Sequence, residues 1–236
     1  MKHCLLACTL AACCASATAA ECPPYVKRTP GGDYTSAEDR DGLSVVEKFH
    51  FSRAVETLTQ GMTGSLGADI SYTLEHFPNH HRALASMAKL GLRLKSAQPV
   101  GARYTVSCYF ERAIAFAPHD VTARMVYGSY LLSTGQDAMA LEQLDAASRL
   151  APEQATIQYN LGLMYAKKKE YEKASAHAQK AYALGFPLPG LKNKLKAAGK
   201  WREPPPAPAV VEAKEAPKAA EPEAPAAVPV EPPSGE

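Results

Sequence analysis

The chain is 236 residues long, room for one or two domains and a sizeable core. Apolar residues make up 46% and charged residues 21%, and 26 basic against 24 acidic side chains leave +2. That is ordinary globular composition. It excludes an acidic solvating chain and a strongly basic nucleic-acid binder, and no apolar run after the first twenty residues is long enough for a multi-span helical membrane protein.

Residues 1–20 read MKHCLLACTLAACCASATAA. Lys2 is a short positive region, Cys4 to Cys14 an apolar one, and the small residues ending at Ala19 or Ala20 suit a signal peptidase. This segment is expected to be a cleaved signal peptide that sends the chain to the periplasm. The alternative is a lipobox, Leu10-Ala11-Ala12-Cys13, which would leave a lipoprotein anchored in the membrane at Cys13. After cleavage at Ala19 or Ala20 only Cys22 and Cys108 remain. An even pair in an oxidising compartment suggests a disulfide. It would close a loop of about 85 residues, which the chain-entropy model values at about 4–5 kcal/mol. Two separate thiols, Cys108 buried and Cys22 mobile, are the other possibility.

Residues 21–80 read as an irregular helical cap. Thr35 with Glu38 suggests a capping box opening a helix through about Lys48. Leu66, Ile70, Leu74 and Phe77 mark one face of a further helix. EDRDG at 38–42 is rejected as a calcium loop, because Ala37 and Lys48 stand where the first and last carboxylates belong. GMTGSLG at 61–67 has glycines spaced like a phosphate loop but lacks the Gly-Lys-Ser/Thr ending and a preceding strand, so it reads as a connection between helices. His76, His80 and His81 cluster around Pro78. The proline breaks the helix between them, so end-capping and packing roles are expected, not a metal site. No nucleophile motif frames any Ser, His and Asp. Neither an enzyme nor a cofactor is expected.

From 81 to 188 the pattern repeats. HHRALASMAKLGLRLK and CYFERAIAFAP form an irregular unit at 81–120, lengthened by SAQPVGARY, with Ala88 and Val106 at its close-contact positions. The units 121–154 and 155–188 are regular. Gly128 recurs as Gly162, Ala140 as Ala174, Ala147 as Ala181, and Pro118 as Pro152, a period of 34. The last unit predicts helices over about Thr156–Lys168 and Tyr171–Leu184. Two helices cross closely only where side chains are small, so Gly128 is set against Ala140 and Gly162 against Ala174. Leu131, Leu144, Leu161 and Tyr165 fill the seam.

YNLGLMYAKKKEYEKASAHAQKAYALGFP and VTARMVYGSYLLSTGQDAMALEQLDAASRLAP resemble tetratricopeptide repeats (TPRs) in their Leu-Gly or Tyr-Gly, Tyr, Ala, Ala and late Pro. The family's usual Trp is replaced by Arg124 and Gln158, and Lys169 stands where Gly is usual. The resemblance implies an all-α fold, a short solenoid of helical hairpins. It would hold two regular repeats, one or two irregular ones before them, and a C-terminal cap at 189–201. There Leu191, Leu195 and Ala198 form an apolar stripe and Trp201 seals the end. It also implies a concave peptide-binding groove lined by the first helix of each unit: Arg82, Lys89 and Arg93; Met125, Ser129 and Ser133; Tyr159, Asn160, Leu163 and Lys167. Cations at both ends suit an extended peptide with acidic groups, and Asn160 could clamp its backbone.

Residues 202–236 hold ten Pro, nine Ala and seven Glu and carry three basic against seven acidic residues, or −4; residues 21–201 carry +5. Such a stretch cannot bury enough apolar surface to order itself, so a disordered tail is expected, either a solvated spacer or an acidic arm that reaches a partner or folds back. The expected protein is thus a periplasmic, non-enzymatic scaffold for protein–protein interaction, in cell-envelope or pilus assembly. Its partner would be a protein or extended peptide, not nucleic acid. The alternatives are a lipid-anchored scaffold acting through its tail and a histidine-dependent metal binder.

Overall fold

A computed structural model describes residues 22–203, and among these the chain forms ten helices and no strand. The leader and nearly all of the expected tail lie outside the described residues. The chain divides between Arg202 and Glu203, and all ten helices belong to the first unit.

The cap holds α1 (Leu43–His50), α2 (Arg53–Glu56) and α3 (Leu66–His76). The irregular unit contributes α4 (His81–Leu94) and α5 (Val106–Phe116). Then come α6 (Val121–Ser133), α7 (Asp137–Leu150), α8 (Ala155–Lys167), α9 (Tyr171–Ala183) and α10 (Gly190–Ala197). Four successive helices open on a side-chain acceptor that takes an otherwise orphaned backbone N–H. Ser65 accepts from Ala68, His80 from Ala83, Thr105 from Cys108 and Asp120 from Ala123.

Helix α6 packs along α7 and α8 along α9, each pair joined by a short turn, while α4, α6 and α8 are neighbours in that order. Glycine permits the close approach. A Cβ on Gly128 would lie 2.6 Å from the Leu144 Cγ and 3.4 Å from the Ala140 carbonyl oxygen. A Cβ on Gly162 would lie 2.4 Å from Leu191 and 3.4 Å from the Ala174 carbonyl oxygen. Leu131, Leu144 and Leu161 are buried around these crossings, as the spacing predicts. In the irregular unit the tight position is Gly91, not Ala88: a Cβ there would meet the Val106 methyl at 2.8 Å. Helix α10 buries Leu191 and Leu195 against α8 and α9, and Trp201 joins the same cluster. Ala198, counted with that stripe, is exposed beyond the helix end.

The helix expected from Thr35 does not form. Residues 35–42 are turns, and α1 begins only after Gly42. The cause is local: both the amide and the hydroxyl of Thr35 donate to Asp33 Oδ1, so the hydroxyl is not used as a helix cap. Upstream, residues 22–32 form an arm without helix. Cys22 and Cys108 are joined in a disulfide across a separation of 86 residues. Beside it the Tyr25 ring packs edge-on against Phe116, and its hydroxyl donates to the His76 carbonyl.

Candidate functional site

The residues expected in a groove lie on α4, α6 and α8, and several are spent on joining successive elements. On α4, Arg82 reaches back to Glu56 (3.2 Å) and Glu47 (3.7 Å) and lies over the Phe51 ring. Arg93 donates to the Leu58 carbonyl at 2.7 Å. Asn160 of α8 donates to the Ser129 hydroxyl of α6 at 2.8 Å, and Lys167 pairs with Asp137 at the start of α7 at 2.6 Å. Ser129 and Ser133 turn their own hydroxyl protons back onto α6 carbonyls four residues earlier. Tyr159 stacks on Phe186 with ring centres 4.0 Å apart. Asn160 is therefore held in a bond between helices, with its amide directed at Ser129.

Of that set, the side chains of Lys89, Met125 and Leu163 take no part in these bonds; Lys89 is exposed, and Met125 and Leu163 are half-buried against the core. Leu92 and Leu132 flank them, and Leu92 is 38% exposed. The first-helix face is thus a mixed strip, with apolar patches between cations, locked by side-chain bonds from one helix to the next. Ser86 belongs to the same lock, donating to the Glu56 carbonyl of α2. Ser86, Leu92 and Tyr130 were missed by the family's position pattern. For Ser86 the signal was its place seven residues before Arg93, on the same helix face.

The histidine cluster is divided among separate partners. His76 Nδ1 meets the Pro30 carbonyl, His80 Nε2 donates to Glu47 at 2.9 Å, and His81 Nε2 meets Asp120 at 2.8 Å. Because His80 Nδ1 accepts from the Ala83 amide, its proton sits on Nε2. Burial pulls the His80 pKa down to about 4, only partly offset by the bond to Glu47. For Asp120, burial works to raise the pKa, and the bonds from His81 and Ala123 outweigh it, so the carboxyl titrates below its usual value. Among the described residues no group of three His, Cys, Asp or Glu could hold a metal ion.

The glycine-rich loop 61–67 closes on an anion of its own. The Asp69 carboxylate accepts from the Met62 amide (2.7 Å), the Thr63 amide and the Thr63 hydroxyl, with His50 alongside. Burial opposes ionisation of Asp69, and these donors overcome it. The donors that a phosphate loop would aim at a ligand are taken up by this side chain.

No family model matches the chain, and no curated protein matches it significantly.

Proposed function

We propose that the chain is a non-enzymatic TPR-type adaptor that docks an extended polypeptide along the exposed face of α4, α6 and α8. The observation that carries this reading is the adjacency of these three helices. The Asn160–Ser129 bond stiffens that face by tying α8 to α6, and Lys167–Asp137 ties α8 to α7 behind it. A rigid surface loses little entropy on binding, which favours a scaffold role. The regular hairpins with their 34-residue period, the irregular units at 21–120 and the cap at 189–201 form, in this reading, one short solenoid. Lys89 lies on α4, at the end of the strip nearest the N-terminal cap, and Met125 and Leu163 supply apolar contact.

The leader-like first twenty residues and the Cys22–Cys108 disulfide support work in the periplasm. No helix of the described residues is long and apolar enough to cross a membrane. The binding face is tested by capture of partners from envelope extracts. Alanine at Lys89, Met125 and Leu163 together should lower recovery of a specific partner at least about tenfold, the loss of about 1.4 kcal/mol. The same change at exposed Glu142 and Met139 of α7 should leave recovery unchanged. Equal recovery with both variants rules out this face.

A further inference from the structure

A cleft of about 390 Å³ opens where the C-terminal ends of α4 and α6 meet. Gly91, Leu92, Lys95, Tyr130 and Ser133 are among its lining residues. Four independent features mark it. The first is Tyr130, a residue only 6% exposed, whose hydroxyl makes no hydrogen bond within the described residues and stays open to solvent. Burial raises its pKa, so the phenol keeps its proton and can donate. The second is Gly91, which leaves the ring edge uncovered; a Cβ there would lie 3.8 Å from Tyr130 Cε2.

The third feature is Lys95. It ends α4 in the left-handed region at φ 50, where glycine is the low-cost choice, as Gly135 shows at φ 79 beyond the end of α6. Lysine there carries backbone strain that glycine would not, and it places an ammonium at the rim. The fourth is charge. Between Glu75 and Glu111 the sequence has no acidic residue but five basic ones: Arg82, Lys89, Arg93, Lys95 and Arg103. Arg82 and Arg103 have carboxylate partners elsewhere, and Arg93 holds a carbonyl. Among the described residues Lys89 and Lys95 make no ion pair.

From these features we infer that the cleft receives an acidic side chain of the docked polypeptide. Its carboxylate accepts from the Tyr130 hydroxyl and the Lys95 ammonium, and its methylene stem lies on Leu92. This rests on the docking face proposed above and names the side-chain chemistry that the face selects. The site lies at the helix ends, apart from the mid-helix position of Asn160.

The test is a heteronuclear NMR titration of the full chain. The probe is an acetylated, amidated hexapeptide repeating Leu-Glu-Ala, so that it carries no terminal carboxylate, and its Gln counterpart is the control. The Glu peptide should bind saturably and shift the amides of Lys95, Tyr130, Ser133 and Thr134, while the Gln peptide binds at least about tenfold more weakly. Tyr130→Phe removes only the hydroxyl, and it should weaken the Glu peptide about tenfold, as expected for a bond to a charged group. Lys95→Gly should do the same while folding at least as stably. Binding of the Glu peptide that neither substitution alters overturns the cleft assignment and leaves the wider face standing. No saturable shift with either peptide also overturns the cleft assignment, whereas the alanine variants on the face test the docking reading on its own.

Discussion

Gly128 and Gly162 are equivalent in the repeat, yet they should respond differently to alanine. A methyl on Gly128 runs into the branch point of Leu144, a buried side chain with no room to turn. The overpacking cost of about 1–3 kcal/mol exceeds the gain of about 1 kcal/mol in helix propensity. Gly128→Ala should therefore lower the urea midpoint, with a net loss of up to about 2 kcal/mol. A methyl on Gly162 meets the end of the Leu191 side chain, equally buried, and not its branch point, so Gly162→Ala should lower the midpoint less than Gly128→Ala does. Lys169 occupies the left-handed region at φ 62, and Gly135 fills the matching place in the preceding turn. Lys169→Gly should stabilise the fold by about 0.5–1 kcal/mol, the strain relieved less the flexibility added to the unfolded chain. The same urea series reads this as a rise in midpoint.

His80 gives a pH dependence. Its folded pKa of about 4 lies below the ordinary 6.5, so the neutral form belongs to the fold. Its contribution is fully present above about pH 6.5 and is lost as the pH falls toward 4, about 3 kcal/mol in all. His80→Asn keeps a capping oxygen for the Ala83 amide but cannot take up a proton. The stability gap between parent and variant, from urea melts at pH 7 and pH 4.5, should close or reverse at the lower pH. A constant gap would show that His80 is not the titrating group.

Among the elements, the arm 22–32 depends most on covalent chemistry. Besides the disulfide and Tyr25, the arm is tied to α3 by Arg28, which pairs with Glu75, and by the Pro30 carbonyl and the Gly32 amide, which both bond to His76. Cys22→Ser with Cys108→Ser should cost about 2–5 kcal/mol, read as a fall in melting temperature that added dithiothreitol does not deepen. The arm, the late start of α1 and the wrapping of Asp69 were hard to read from sequence for one reason. Each is decided by a side chain that competes locally with helix formation, Asp33 for Thr35 and Asp69 for loop 61–67. A capping-box spacing does not reveal which acceptor a hydroxyl will choose. By contrast α8 and α9 were legible to within about a residue at their ends, because small residues recur where two helices must touch.

Across the whole molecule, the order of helices was legible from periodicity and proline placement, and so was the pairing of the two cysteines. The binding face was legible only in part. The family's position pattern picks side chains that leave a first helix in one direction, and it does not see the neighbouring helix. Asn160 and Lys167 meet partners about 30 residues earlier, so their commitment to Ser129 and Asp137 is a property of packing.

The most direct measurement is photo-crosslinking in intact cells, with p-benzoylphenylalanine placed singly at Lys89, Met125 and Leu163 and, as controls, at Glu142 and Ala176. Docking along the first helices predicts one shared protein adduct from the three face positions and none from the controls, identified by mass spectrometry. Adducts from the controls alone, or the same adduct from every position, would contradict it.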